Sequence, residues 1–201
     1  AYGLTEVTTA ATANPVFGTR KPGSVGPPLP DLEVKIFDDQ DHEVPTGEVG
    51  EVVIRGSAVM KGYYNNPEAT AETLKGGWLH TGDLGKLDED GYLYILDRKK
   101  DMIICSGYNV YPREIEELLH THPAVLEAAV IGVTDPKRGE SPMAFVIPKL
   151  GQKPTEEELI QFCKENLATY KAIKGVKFVA EFPRNPNRKV LKRELREMLK
   201  A

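Results

Sequence analysis

The stretch GGWLHTGDLGKLDEDGYLYILDRKKDMIICSGYNVYPREIE, Gly76–Glu116, holds the turns that decide this chain's architecture. At its centre Asp88-Glu89-Asp90-Gly91 separates the runs Leu84–Leu87 and Tyr92–Leu96. Asp-Gly between alternating apolar runs predicts a β-hairpin. Five consecutive charges follow, Asp97-Arg98-Lys99-Lys100-Asp101, and five such side chains are not buried without partners. An exposed loop accounts for these residue types; a connector across which one module swings against another is the functional reading. Beyond them Cys105-Ser106-Gly107-Tyr108 predicts a tight turn, and Pro112 opens a helix.

Upstream, residues 15–101 read as β-rich. Glu33–Phe37 and Glu48–Arg55 are strand-like, with Asp38–Asp41 as a turn between them. Pro67–Thr73 predicts a short helix capped by Asn66. Short strands with polar turns indicate a small antiparallel barrel or sandwich. Residues 102–201 change character. Ile115, Leu118 and Leu119 share one face of the Pro112 helix. Val125–Val133, Met143–Ile147 and Val176–Val179 are apolar strands, and Lys192–Leu199 is a terminal helix. Thr155 followed by Glu158 is a capping box for a helix that buries Leu159, Ile160, Cys163 and Leu167. Helices on a small mixed sheet make an α+β module, so the fold class is α+β throughout.

The chain's 201 residues, 40% hydrophobic and 28% charged, suit one large domain or two small ones. No run of about 18 apolar residues predicts a transmembrane segment. Residues 101–201 hold an excess of cations gathered at Arg184, Arg188, Lys189, Lys192, Arg193, Arg196 and Lys200. Such a cluster holds phosphate, nucleic acid or nothing, and without interleaved aromatics nucleic acid ranks last. Cys105 and Cys163 stand far apart outside any CxxC, which fits a reducing compartment. His42, His80, His120 and His122 form no metal-ligand pattern. The start shows neither an initiator Met nor a signal-peptide pattern, and an excised fragment is expected.

Three segments taken together carry a family resemblance: Tyr2-Gly3-Leu4-Thr5-Glu6; Gly76–Glu116; and Pro183-Arg184-Asn185-Pro186-Asn187-Arg188-Lys189-Val190-Leu191-Lys192-Arg193. Their order and spacing resemble the adenylate-forming superfamily, and within it the bacterial long-chain fatty-acid CoA ligases. The resemblance implies that residues 1–97 end a large N-terminal domain with a β-barrel-like subdomain. Residues 98–101 would be a hinge and 102–201 a mobile α+β domain. It implies MgATP-dependent activation of a fatty or other carboxylic acid, then capture of the acyl-adenylate by CoA, in an enzyme that is cytoplasmic or membrane-peripheral. The family's phosphate loop and acyl pocket would precede Tyr2, so the isolated chain is expected to be inactive. The other class of function is a stand-alone module binding nucleotide or acyl-CoA without catalysis.

Residue by residue, the resemblance implies that Tyr2 stacks on adenine, with Gly3 beside it. It puts the Thr5 hydroxyl on the α-phosphate, Glu6 on Mg²⁺, and Asp83 on the ribose hydroxyls. Arg98 would also reach the nucleotide. Lys100 falls at the hinge position, where many members carry Asp and the luciferase-like and fatty-acid branches often carry Lys. Gly107 would border the CoA pantetheine tunnel. Lys189 matches the catalytic lysine, a mobile cation suited to charge developing at phosphorus. Arg188 departs from the family's usual Gly before that Lys, which puts rate more than identity in question.

Overall fold

The computed structural model describes residues 1–199, so Lys200 of the basic cluster lies outside the described residues. The chain divides into two compact units, Ala1–Lys100 and Asp101–Ala201. Among the described residues no helix is long and apolar enough to cross a membrane.

The first unit is a curled antiparallel sheet of five strands: β1 (Leu32–Phe37), β2 (Gly50–Gly56), β3 (Leu74–Lys75), β4 (Trp78–Leu87) and β5 (Leu93–Arg98). Strand β4 is its spine. It pairs with β2, which in turn pairs with β1, and also with β3 near its start and β5 near its end. The run Val52-Val53-Ile54 is fully buried because both faces of β2 are covered. Val52 and Ile54 join a core with Val7, Ala11, Leu79 and Leu93, while Val53 meets Phe37 and Trp78 on the opposite face. The hairpin between β4 and β5 forms at the Asp88–Gly91 turn, whose Asp88 accepts the amides of Asp90 and Tyr92. Helix α1 (Pro67–Thr73) starts where Asn66 accepts the Ala69 amide. Strand β4 begins at Trp78, earlier than the apolar alternation shows, because its first turn pairs with β3 rather than β5.

The second unit is a three-layer α+β module. Its mixed sheet runs β10 (Gly175–Phe178), β9 (Gly139–Pro148), β6 (Ile103–Cys105), β7 (Tyr108–Val110), with β8 (Val125–Asp135) also on β9. Strand β10 is parallel to β9 and the other pairs are antiparallel. One face of the sheet, through Val130, Ala144 and Val146, buries Ile115 and Leu119 of α2 (Pro112–Thr121) with Leu159 and Cys163 of α3 (Glu156–Asn166). The other face, through Ala129, Ile131 and Phe145, buries Phe182 and Leu195 of α4 (Lys192–Glu197). Alternating residues of one apolar run thus serve two cores. The capping box of α3 is present in full, with Thr155 accepting from the Glu158 amide and the Glu158 carboxylate from Thr155. Strands β8 and β9 are longer than their apolar centres and meet in a hairpin over Pro136–Arg138.

Candidate active site

The first unit gathers most of the residues singled out for nucleotide binding. Tyr2 is fixed by a bridge to Thr12, and its hydroxyl donates to Asp83 Oδ2 at 2.7 Å. Burial pushes the Tyr2 phenol well above its ordinary value, and its bond to Asp83 and that residue's charge push the same way. The phenol therefore stays protonated and a donor at neutral pH. Arg98 Nε lies 3.3 Å from Asp83 Oδ1, so the carboxylate sits between a phenol and a guanidinium. Strands β4 and β5 bring this pair together by direct register, Asp83 opposite Arg98. Asp83 is 8% exposed.

Asp83 stands on a bulge. Glu51 of β2 faces Leu84 and Val53 faces His80, so one β2 residue spans three of β4: Thr81, Gly82 and Asp83. Gly82 takes the left-handed conformation, φ +69°, which suits a residue without Cβ. Thr81 Oγ1 donates to the Val52 carbonyl at 2.7 Å and accepts from the Asp83 amide at 3.1 Å. Glu51 Oε1 accepts the Gly82 amide at 3.0 Å. Its other oxygen lies 3.4 Å from His80 Nδ1 and 3.3 Å from Lys99 Nζ. Burial pulls the Lys99 ammonium down, but its bond to Asp39 and the charge of Glu51 hold it above its ordinary value. A cleft of about 390 Å³ is lined by Thr81, Gly82, Arg98, Lys99 and Lys100.

Gly3 is set by space rather than flexibility, since a Cβ there would fall 1.6 Å from the Thr9 carbonyl oxygen. Thr5 and Glu6 lie in a 3₁₀ turn, Thr5–Val7, with Thr5 exposed. Tyr63 donates its hydroxyl to Glu6 Oε1 at 2.8 Å, leaving the second carboxylate oxygen for other company. One carboxylate completed by phosphate oxygens and water is an ordinary Mg²⁺ environment, and Glu6 fits that part. No cluster of three His, Cys, Asp or Glu fit for a metal exists among the described residues. Lys100 is exposed in the 3₁₀ turn Lys99–Asp101.

The second unit carries Gly107 and Lys189. Ser106 and Gly107, with φ of 53° and 83°, form the two-residue turn of the β6–β7 hairpin, the mirror-image geometry favoured between twisted strands. A Cβ at Gly107 would meet nothing within 4 Å, so conformation rather than crowding calls for glycine there. Lys189 is exposed on a turn closed by Asn185. The Asn185 amide donates to the Lys189 carbonyl, and Asn185 Oδ1 accepts the Lys189 amide at 2.9 Å. Arg188 holds a left-handed φ of 62°. The basic segment around it is not a bare cationic face. Arg184 pairs with Glu127, Lys192 with Glu116 at 2.8 Å, and Arg196 with Asp101 at 3.3 Å. His120 and His122 serve local structure, accepting the Ala128 and Ala124 amides. A second cleft of about 390 Å³ runs past Asp135, Arg138, Lys164 and Lys174.

Sequence reasoning passed over Glu51, Tyr63 and Thr81 as partners of the site. Nothing local marks Glu51, since its contacts lie 29 to 48 residues away.

Two family descriptions match the chain: AMP-binding enzyme over residues 1–64, and AMP-binding enzyme C-terminal domain over residues 114–189. The chain belongs to the adenylate-forming superfamily. Among adenylate-forming relatives, a long-chain-fatty-acid–CoA ligase of Bacillus subtilis (strain 168) is 47% identical over 98% of this chain and 35% of its own length. A 2-succinylbenzoate–CoA ligase of Bacillus cereus (strain Q1) is 49% identical over 98% of this chain and 41% of its own length. The crystal structure of ATP-bound MatB from Rhodopseudomonas palustris superposes with a TM-score of 0.93 at 42% identity, over all of this chain and 40% of that one. The chain thus spans 35 to 41% of the length of these three proteins.

Proposed function

We propose that this chain is part of an ATP-dependent acid–CoA ligase that makes an acyl-adenylate and passes the acyl group to the CoA thiol. The observation that carries the reading is the Tyr2–Asp83–Arg98 constellation within a chain nearly half identical to two kinds of CoA ligase. Asp83, paired with Arg98, would accept hydrogen bonds from the vicinal hydroxyls of ribose, and the Tyr2 ring would form the adenine platform. Thr5 and Glu6 would face the phosphates, with Glu6 holding Mg²⁺, which supplies charge neutralisation when bound. Lys189 would bridge the acid carboxylate and the α-phosphate, two anions that repel until a cation lies between them. Gly107 would border the path of the CoA arm, and residues 98–101 with Lys100 would be the hinge.

The acid is a fatty acid in our first reading. The 49% identity to a 2-succinylbenzoate–CoA ligase supports an aromatic diacid as the second. A cytoplasmic reaction, drawing on ATP and CoA there, is part of this reading. The test is the full-length ligase with MgATP, CoA and either acid, following pyrophosphate and thioester separately. Thioester from a fatty acid alone supports the first reading, and from 2-succinylbenzoate alone the second. Absence of pyrophosphate and thioester with every acid in a broad panel would favour a binding module. The 201-residue chain assayed by itself is expected to yield neither product.

A further inference from the structure

A charged side chain on β2 stands out. Glu51 lies in a strand whose next three residues are buried and apolar, and its side chain is only 11% exposed. An apolar residue there would avoid desolvating a carboxylate, and a buried carboxylate is costly unless donors surround it. The donors around Glu51 come from three places: the Gly82 amide inside the bulge, the His80 ring on β4, and the Lys99 ammonium just past β5. The Gly82 amide is turned out of the regular ladder by the bulge and needs an acceptor that reaches across from β2. Thr81 already spends its hydroxyl on Val52 and Asp83.

We infer that Glu51 is a positioning residue for Asp83: its carboxylate fills the β4 bulge, holds Gly82 in its left-handed conformation, and so aims the Asp83 carboxylate. Bulges re-aim side chains, and this one puts Asp83 between Tyr2 and Arg98. Glu51 touches no residue assigned to substrate, so it acts through the loop at Gly82, with its second oxygen on Lys99 beside Arg98. The inference rests on Asp83 binding ribose as proposed above. It adds that the geometry of that carboxylate depends on a strand neighbour remote in sequence.

The test uses the full-length ligase and ATP–pyrophosphate exchange at saturating acid, with AMP binding measured by calorimetry. Glu51→Ala is expected to raise the KM for ATP by about tenfold with kcat within about threefold, the signature of lost binding rather than lost chemistry. Glu51→Gln keeps an acceptor oxygen at the same reach and is expected to stay within about threefold of the wild type. Added to Asp83→Ala, Glu51→Ala is expected to cost no more than about a further twofold, since both act on one contact. An unchanged KM in Glu51→Ala, full additivity with Asp83→Ala, or Gln no better than Ala would overturn the inference. Should Glu51→Ala not fold, Glu51→Gln and Glu51→Asp decide it. Gln near wild type with Asp impaired supports the role, and any other order overturns it. If Asp83→Ala itself leaves ATP affinity unchanged, the ribose reading fails and the inference falls with it. If Asp83→Ala weakens binding and Glu51→Ala does not, the inference alone fails.

Discussion

The Asp83 loop and the Lys189 turn are built on opposite plans. Asp83 is buried, held by side chains from three segments, and stands on a bulge whose amides are taken up by Thr81 and Glu51. The turn before Lys189 is exposed and closed by Asn185 on its own backbone, with Arg188 in a conformation that disfavours its side chain. The first arrangement holds a carboxylate through contacts from several segments. The second presents a long cationic side chain from a short local turn. The former suits the ribose clamp proposed for Asp83, and the latter the charge-following role proposed for Lys189.

Replacing Lys189 with Ala in the full-length ligase should break the comparison most sharply. Acyl-adenylate formation is expected to fall by about 100-fold or more, as when a charge-stabilising donor is removed elsewhere. Thioester formation from supplied acyl-adenylate is expected to persist within about threefold, because CoA attack does not need that cation at phosphorus. Rapid quench of each half-reaction separates the two. Equal loss in both would remove the assigned role.

Asp83→Ala should act on both binding and folding. The Tyr2 hydroxyl loses its acceptor while half-buried, and an orphaned buried polar group costs about 1–3 kcal/mol, less where water can reach it. Urea denaturation of the first unit would read that loss, and AMP calorimetry the weakened binding. A stability change without a change in AMP affinity would make Asp83 a structural aspartate.

A pH profile sharpens the contrast within the second unit. Asp135 is held below its ordinary value of 3.8 by the Lys137 amide, the Ser141 hydroxyl and Lys174. A depressed folded value means its contribution is present above the ordinary aspartate range and is lost as pH falls below it. Melting temperature should therefore drop more steeply on acidification below about pH 4 in the wild type than in Asp135→Asn. Parallel curves would show that those three donors do not discriminate between the charged and neutral carboxyl.

The smallest effect is expected at Arg188. Glycine accepts a left-handed φ without the steric cost an arginine bears, so Arg188→Gly should gain a few tenths to about 1 kcal/mol in the second unit. If the stiff turn also limits Lys189, the adenylation rate rises modestly in the same variant. A destabilised Arg188→Gly would show the arginine side chain to be the more important partner there.

What the sequence made legible follows the range of each interaction. Local signals carried well. The Asp88–Gly91 hairpin, the Asn66 cap and the Thr155–Glu158 capping box are all written within five residues, and all are present. The α+β class and both antiparallel and mixed sheets followed from periodicity. The β6–β7 hairpin was seen only as a turn, because three-residue strands are too short to show alternation. Strand β3, two residues long, was lost for the same reason, and the start of β4 because its partner there is β3 rather than β5. The candidate site residues were reached by resemblance, and the structure joins Tyr2 to Asp83 by a hydrogen bond and Arg98 to Asp83 by an ion pair. Tyr63 beneath Glu6 and Glu51 beneath Gly82 could not be read from spacing, since only the folded sheet makes them neighbours.

The segment around Phe17 has a practical consequence. Val16 is exposed and Phe17 almost wholly so, yet both sides of the loop are tied down. On one side Ala11 and Thr12 are bonded to Tyr2, and Ala13 to Pro27. On the other, Lys21 is clamped by Asp88 and Asp90 and lies over the Tyr92 ring, whose hydroxyl holds the Thr19 carbonyl. A single cut by chymotrypsin after Phe17 should therefore yield two polypeptides that travel together through a sizing column and separate only in denaturant. Such a nicked species would offer a ready route to splitting the first unit into a short N-terminal peptide and its complement.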